Sequence, residues 1–446
     1  MAPVDFIELS AFDAVLLVAA IATSAAWLLA SAVVYVLRRP PEPSVGPRTL
    51  ELGPEPPAVA NFLVNDFRVT DDAVPATLID LAARNVFDVE QRGLGVFYIR
   101  LRSSLDEQLT AYERRVLDHL RRKAVDGVVP AEALTTGPGE ESKRWRRQFT
   151  NEVVADAQAR GLSRDALDGP VFTVLTLAAV VPALLVWALS SFEPGIVVVG
   201  AGVAILAWIR ARHPQRETQE GLASASSWLG VRAELEANEV FRTHSPLTVE
   251  LWDRVLAYGA ALGVASGASG PLPMGTESDT DAWSSYGGRW RPVRVGYPRV
   301  WPPGWGRDPL VALGGGVIVV LASAGFLYVF ATSLLDAGPV AGAFLLVPCA
   351  AVILGVAVVV MAWSDWKSPI EVTGPILRLR AFGDDEKRRH YVAVDDGSSP
   401  VIRALRVSPS QYAGLEQGEP VTVRTTANLG CVRWIIPGPD EPGPAG

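Results

Sequence analysis

Residues 170–212 constrain this chain more than any other stretch. An apolar run over 171–189 is followed by a Ser-Ser-Phe-Glu-Pro-Gly break and a second apolar run over 196–209. The first run is about as long as a helix must be to cross the hydrocarbon of a bilayer. Two such runs around a short break predict a helical hairpin that enters a membrane and returns. The polar segments on either side of it must then share one face of that membrane.

Three further apolar runs lie at 14–37, 310–335 and 340–363, and none of the five carries Asp, Glu, Lys, Arg or His away from its ends. A charge at mid-bilayer costs roughly 2.5–3.5 kcal/mol, so this distribution is what hydrocarbon demands. The expected fold class is a multipass α-helical membrane protein of about five spans, with hairpins at 170–212 and 309–366. The first span, 14–37, follows a short acidic stretch, 1–13, and ends at Arg38 and Arg39. That pattern suits an uncleaved span better than a cleaved signal peptide, which begins with basic residues. Neither hairpin break carries Lys or Arg, whereas 38–168 and 213–308 carry many. The positive-inside rule then places the N-terminus outside and both long segments and the C-terminus in the cytoplasm of a bacterial plasma membrane.

Residues 38–57 are rich in proline and read as a linker. Within 58–169, the spacing of Leu109, Tyr112, Val116 and Leu120, and of Trp145, Phe149, Val153 and Ala157, predicts two helices with one apolar face each. Strands around Gln91-Arg92-Gly93 complete a winged-helix-like α+β domain. Segment 213–265 predicts helices over 219–240 and 247–264. Residues 266–308 read as a Gly/Trp/Pro-rich loop, in which Trp283, Tyr286, Trp290, Tyr297, Trp301 and Trp305 alternate with arginines and suit a membrane interface. Short β-like runs over 367–437 predict a small all-β barrel-like domain, with Asp395-Asp396-Gly397 and Asn428-Leu429-Gly430 as turns. The last residues, 438–446, read as a disordered tail.

The formal charge of −8 excludes a general basic field. Residues 51–168 hold 20 acidic and 16 basic side chains, which makes nucleic acid an unlikely partner. Two basic clusters nevertheless stand out: Arg121, Arg122 and Lys123, and Lys143, Arg144, Arg146 and Arg147. They read as solvated helix faces or as contacts to lipid headgroups, with phosphates of nucleic acid a third reading. Two cysteines, Cys349 and Cys431, exclude a disulfide framework. No phosphate loop, nucleophile elbow or HExxH pair occurs, and the four histidines are far apart. No catalytic, cofactor or metal residue is therefore assigned.

The run Pro75-Ala76-Thr77-Leu78-Ile79-Asp80-Leu81-Ala82-Ala83-Arg84-Asn85 is followed by Phe87-Asp88-Val89, the helix at 110–120 and the apolar hairpin. Then come Trp228-Leu229-Gly230-Val231-Arg232 and Val255-Leu256-Ala257-Tyr258-Gly259-Ala260-Ala261-Leu262-Gly263-Val264. This order resembles the C-terminal half of the predicted membrane protein family known as domain of unknown function 2207, over roughly residues 58–335. The resemblance implies a topology and no reaction. Members usually begin with a secreted β-rich domain, in contrast to the short stretch ahead of 14–37 here. The resulting expectation is a non-enzymatic membrane protein whose segments 58–169 and 367–437 bind a cytoplasmic protein partner or each other. Alternatives are an oligomeric channel or transporter-like protein, suggested by glycines such as Gly314 and Gly355, and a membrane-tethered DNA-binding regulator built on 58–167.

Overall fold

A computed structural model gives the structure of the chain and describes residues 11–37, 43–92, 95–102, 108–165, 169–189, 197, 200–207, 215–272, 274–298, 306–336, 342–383 and 388–438. The chain divides into two compact units, Met1–Gly275 and Thr276–Gly446.

The first unit opens with the apolar helix α1 (Ala11–Leu37). Two short helices follow, α2 (Pro57–Val64) and α3 (Ala73–Ala83), in which nearly every side chain is buried. Leu78, Ile79 and Leu81 are fully enclosed, a burial that contributes about 1.5–3 kcal/mol for each. A hairpin of β1 (Phe87–Gln91) and β2 (Phe97–Leu101) is extended antiparallel by β3 (Val128–Pro130). Between β2 and β3 runs α4 (Ala111–Lys123); after β3 comes α5 (Gly139–Ala159). Trp145, Phe149, Val153 and Ala157 of α5 are all buried, as their spacing predicts.

β4 (Ser163–Asp165) leads into the apolar helix α6 (Gly169–Leu189). Helix resumes at 200–207, and the chain returns through β5 (Gln215–Glu217), which pairs antiparallel with β4. The break at 190–195 lies outside the described residues. Because β4 and β5 form one ladder, the chain between them crosses any membrane an even number of times. α1 packs on this apolar element: Trp27, Leu175, Ala179 and Leu206 form one cluster, and the Trp27 indole donates to the Leu175 carbonyl at 2.8 Å.

Two further helices, α7 (Gln219–Glu236) and α8 (Arg254–Ala261), close the unit. The helix expected over 247–264 is interrupted: Asp253 sits at φ 47°, a conformation that ends a helical run, so only 254–261 continues as α8. More consequentially, 213–265 is not a separate segment. α8 packs on α3, and the Asn61 amide donates to the Ala261 carbonyl at 2.8 Å. Nor is the proline-rich stretch a free linker. Gly46 donates its N–H to the Ser226 carbonyl at 2.9 Å, and Gly230 lies so close to the Pro47 carbonyl that a Cβ has no room. Residues 43–53 therefore run as a strap along α7. Proline lacks an N–H and resists helix, but an extended chain still packs against small residues.

In the second unit, β6 (Asp281–Ser284) and β7 (Arg291–Gly296) form an antiparallel pair inside the stretch expected to be a loop. The apolar helices α9 (Pro309–Asp336) and α10 (Leu346–Lys367) follow. They pack tightly because Gly316 and Gly355 face each other; a Cβ on either would lie 3.1 Å from the other's carbonyl oxygen. Beyond them come β8 (Pro369–Phe382), β9 (Arg389–Val394), β10 (Val401–Arg403), β11 (Leu405–Val407), β12 (Pro420–Thr426) and β13 (Val432–Pro437). Five of these make a sheet in the order β11-β9-β8-β12-β13, while β10 joins β7 in parallel, giving β10-β7-β6.

Two expectations are corrected here. The barrel does not close: among the described residues the edges β11 and β13 meet through the isolated bridge Arg406–Cys431, and β10 leaves for the second sheet. Within 266–308, residues 281–296 are not irregular, since Ala282, Val293 and Val295 are buried against Tyr391, Ala393 and Ile402. Tyr297 packs its ring on Phe382 and Tyr391, so it belongs to this core. Trp301 and Trp305 lie outside the described residues, as do 1–10, most of the second hairpin break and 439–446.

By length and composition α1, α9 over Pro309–Phe330, and α10 suffice to cross a membrane; the apolar stretch Thr173–Ala188 of α6 is shorter.

Candidate functional site

α4 begins with a reciprocal cap in which Thr110 and Glu113 bond each other's backbone N–H groups. It then runs antiparallel to α5. Arg115 forks onto Glu152, with its Nε 2.9 Å from Oε2, the Tyr112 hydroxyl donates to Asp156 at 3.3 Å, and His119 lies 5.8 Å from the Trp145 ring. This pairing sets the end of α4 beside the start of α5. All seven cations singled out from sequence, Arg121, Arg122, Lys123, Lys143, Arg144, Arg146 and Arg147, are thereby brought to one end of the pair. Three are engaged there: Arg121 with Asp118 at 3.6 Å, Lys143 with Glu140 at 2.7 Å, and Arg146 with Asp71.

The field of this cluster is felt by its neighbours. Burial, followed by Lys123 and Arg122, pushes the His119 imidazole down to about 4. The hydrogen bond from Lys143 holds the Glu140 carboxyl below its ordinary range. The cluster sits about 18–24 Å along α5 from the helix end that leads to α6, given a rise of 1.5 Å per residue. Contact with lipid headgroups of the same membrane therefore requires α5 to lie along the membrane plane.

Behind this surface the unit is locked by buried charge. Asp80, fully buried, accepts Arg254 Nε at 2.8 Å and Arg84 Nη1 at 3.3 Å; Arg84 also reaches Glu113 at 2.7 Å. Glu55 accepts the Trp228 indole N–H at 3.0 Å and the Ser224 hydroxyl at 2.7 Å, while its carbonyl accepts the Tyr258 hydroxyl at 2.8 Å. Burial raises the Tyr258 phenol to about 12. The Asp80–Arg254 pair and the three bonds of Glu55 join residues before the apolar hairpin to residues after it.

In the second unit, Glu277 is buried between Arg378 at 2.7 Å and Arg380 at 2.8 Å and accepts Gln417 Nε2 at 2.6 Å. Asp395 is buried against Arg291 and accepts the Gly397 N–H at 3.0 Å, so the Asp395-Asp396-Gly397 turn is also a core anchor. Asp365, at the end of α10, accepts Asn428 N–H at 3.0 Å and Leu429 N–H at 2.6 Å. Leu429 is thereby held among Ala312, Val358 and Ala362 of the apolar helices. A cavity of about 180 Å³ is lined by Val372, Asp396, Ser399, Arg403 and Thr425. Its arginine already donates to the Ala427 and Asn428 carbonyls at 2.7 and 2.6 Å. Among the described residues no group of three or more His, Cys, Asp or Glu side chains is placed to hold a metal ion.

Apolar helices joined to mixed helix-and-sheet units define a membrane protein. Residues 54–270 match the family model described as predicted membrane protein (DUF2207) C-terminal domain. The match covers the whole bipartite body from the strap's end to α8 and ends before β6. No curated protein and no solved structure matches the chain.

Sequence reading found the seven cations but not their convergence, which depends on the antiparallel register of α4 and α5. It missed Asp80, Arg254, Glu277 and Asp365. Asp365 carried a faint signal, being an acidic residue within two positions of the end of an apolar run.

Proposed function

We propose that this is a non-enzymatic multipass protein of a bacterial plasma membrane that serves as an interaction scaffold. Its N-terminus lies outside, its five spans include both hairpins, and its folded units lie in the cytoplasm. The observation that carries the reading is the lock between Asp80 and Arg254, which fastens polar chain before the apolar hairpin to polar chain after it. The hairpin is thus an anchor inserted into one folded body, and that body presents the basic end of α4 and α5. An acidic surface on a protein partner, or on a second copy, fits those cations by charge.

The winged-helix-like description draws on α3, the β1–β2 hairpin, α4 and β3. A DNA-binding role gains less support, because Asp118, Glu140 and Asp71 already engage three of the seven cations. The channel reading draws on Gly314, Gly315 and Gly325, which face open space on α9. Photo-crosslinking from positions 144 and 147 of the full chain in cells tests the scaffold. The expected result is a discrete protein adduct that disappears when Arg121 and Arg122 are changed to Glu. Adducts to lipid alone would assign the cluster to headgroups, and no adduct at all would overturn the proposal.

A further inference from the structure

The neck of the first apolar hairpin is the two-stranded ribbon of β4 and β5, and its central pair is Arg164 opposite Arg216. Directly opposed residues of an antiparallel ladder share a face and keep their Cβ atoms about 4.5–5.5 Å apart, where like charges destabilise the pairing. The other face is already satisfied. Gln215 Nε2 donates to Asp165 at 2.9 Å, Gln158 Nε2 donates to Gln215 Oε1 at 2.9 Å, and Ser163 Oγ donates to the same oxygen at 3.3 Å. These bonds fix the ribbon on α5 and fix which side the arginines occupy. The ribbon is braced at its other end, where the Thr218 hydroxyl donates to the Gly161 carbonyl at 2.7 Å.

Protein carboxylates do little to offset the pair. Arg216 Nε lies 3.6 Å from Glu217 Oε1, beyond hydrogen-bond distance, and among the described residues no carboxylate pairs with Arg164. The position of the ribbon says what does. Arg164 is five residues and Asp165 four residues from Gly169, the first residue of α6. Four residues reach at most about 14 Å, which keeps the ribbon within or beside the headgroup layer if α6 enters the membrane.

We propose that Arg164 and Arg216 clamp the phosphate of an anionic phospholipid at the neck of the hairpin. A phosphodiester offers two non-bridging oxygens to two guanidinium forks and turns a repulsive cross-strand pair into a charge-assisted one. This site is separate from the α4–α5 cation cluster and stands whether or not that cluster binds a protein.

The test uses the full chain in nanodiscs of phosphatidylcholine, with and without phosphatidylglycerol, read by thermal unfolding and by lipid retained in native mass spectrometry. The wild type is expected to melt higher with phosphatidylglycerol and to retain it. Arg164→Gln and Arg216→Gln should each weaken that retention about tenfold, the loss expected for one charge-assisted bond. In phosphatidylcholine alone, Arg164→Gln should melt no lower than wild type, because it relieves the repulsion; this outcome also shows that the variant folds. Equal response of wild type and variants to phosphatidylglycerol would overturn the clamp. So would equal protection of the detergent-solubilised protein by inorganic phosphate, which would place a soluble anion there.

Discussion

The Asp365 carboxylate accepts the backbone N–H of Leu429 at 2.6 Å, at the point where the Leu429 side chain is buried against both apolar helices of the second unit. The end of an apolar helix and a β-turn some sixty residues later are thereby a single joint. Leu429→Ala should destabilise the second unit by about 2–5 kcal/mol through the cavity it leaves. Asp365→Ala strands the N–H groups of Asn428 and Leu429 and should cost about 1–3 kcal/mol for each. The double variant should cost less than the sum, because both changes release the same turn. Thermal unfolding in detergent, followed by tryptophan fluorescence, measures all three.

Breaking the lock in the first unit should be asymmetric. Asp80→Ala removes the carboxylate that both Arg84 and Arg254 reach, breaking two charge-assisted bonds at once, and should cost about 2–4 kcal/mol. Arg254→Ala leaves Asp80 with Arg84, so a loss of about 1–2 kcal/mol is expected. Limited proteolysis should cut the Asp80 variant at the loops between the two halves of the unit at lower protease concentration than wild type.

Acid should weaken the α4–α5 pair through His119. Its folded value lies near 4 against an ordinary 6.5, so the fold favours the neutral ring. The corresponding stability is fully present above pH 6.5 and is lost as pH falls from there toward 4. Between pH 6.5 and 5 the loss is about 1.5 kcal/mol, and His119→Gln should flatten that part of the stability profile.

The close approach of α9 and α10 depends on two glycines. Gly355→Val should force the helices apart at a cost of about 1–3 kcal/mol, whereas Val360→Ala, on the exposed side of α10, should leave the pair intact. Disulfide formation between cysteines introduced at 312 and 362, close to the shared core around Leu429, should slow in the first variant and not in the second.

What could be read from sequence was set by the range of the interaction. The α5 face of Trp145, Phe149, Val153 and Ala157 is local, and each residue lies inside as its period requires. β8, β9, β12 and β13 were legible for the same reason. β6 and β7 were not: their buried Ala282, Val293 and Val295 stand among Trp, Arg and Gly, and the partner strand β10 comes about a hundred residues later. Arg378 and Arg380 occupy strand positions that composition assigns to solvent. They are buried because Glu277, equally distant in the chain, is buried with them.

The insertion of the hairpin within one folded body also imposes an order on its synthesis. Asp80 is made 174 residues before Arg254, its partner across the hairpin. At about 5–20 residues per second, the ribosome leaves α3 without α8 for roughly 10–35 seconds. On the proposed topology, the apolar hairpin must enter the membrane and return during that interval. A chain that inserted one arm only would, on that topology, deliver Arg254 to the wrong compartment and leave α3 with its apolar face uncovered.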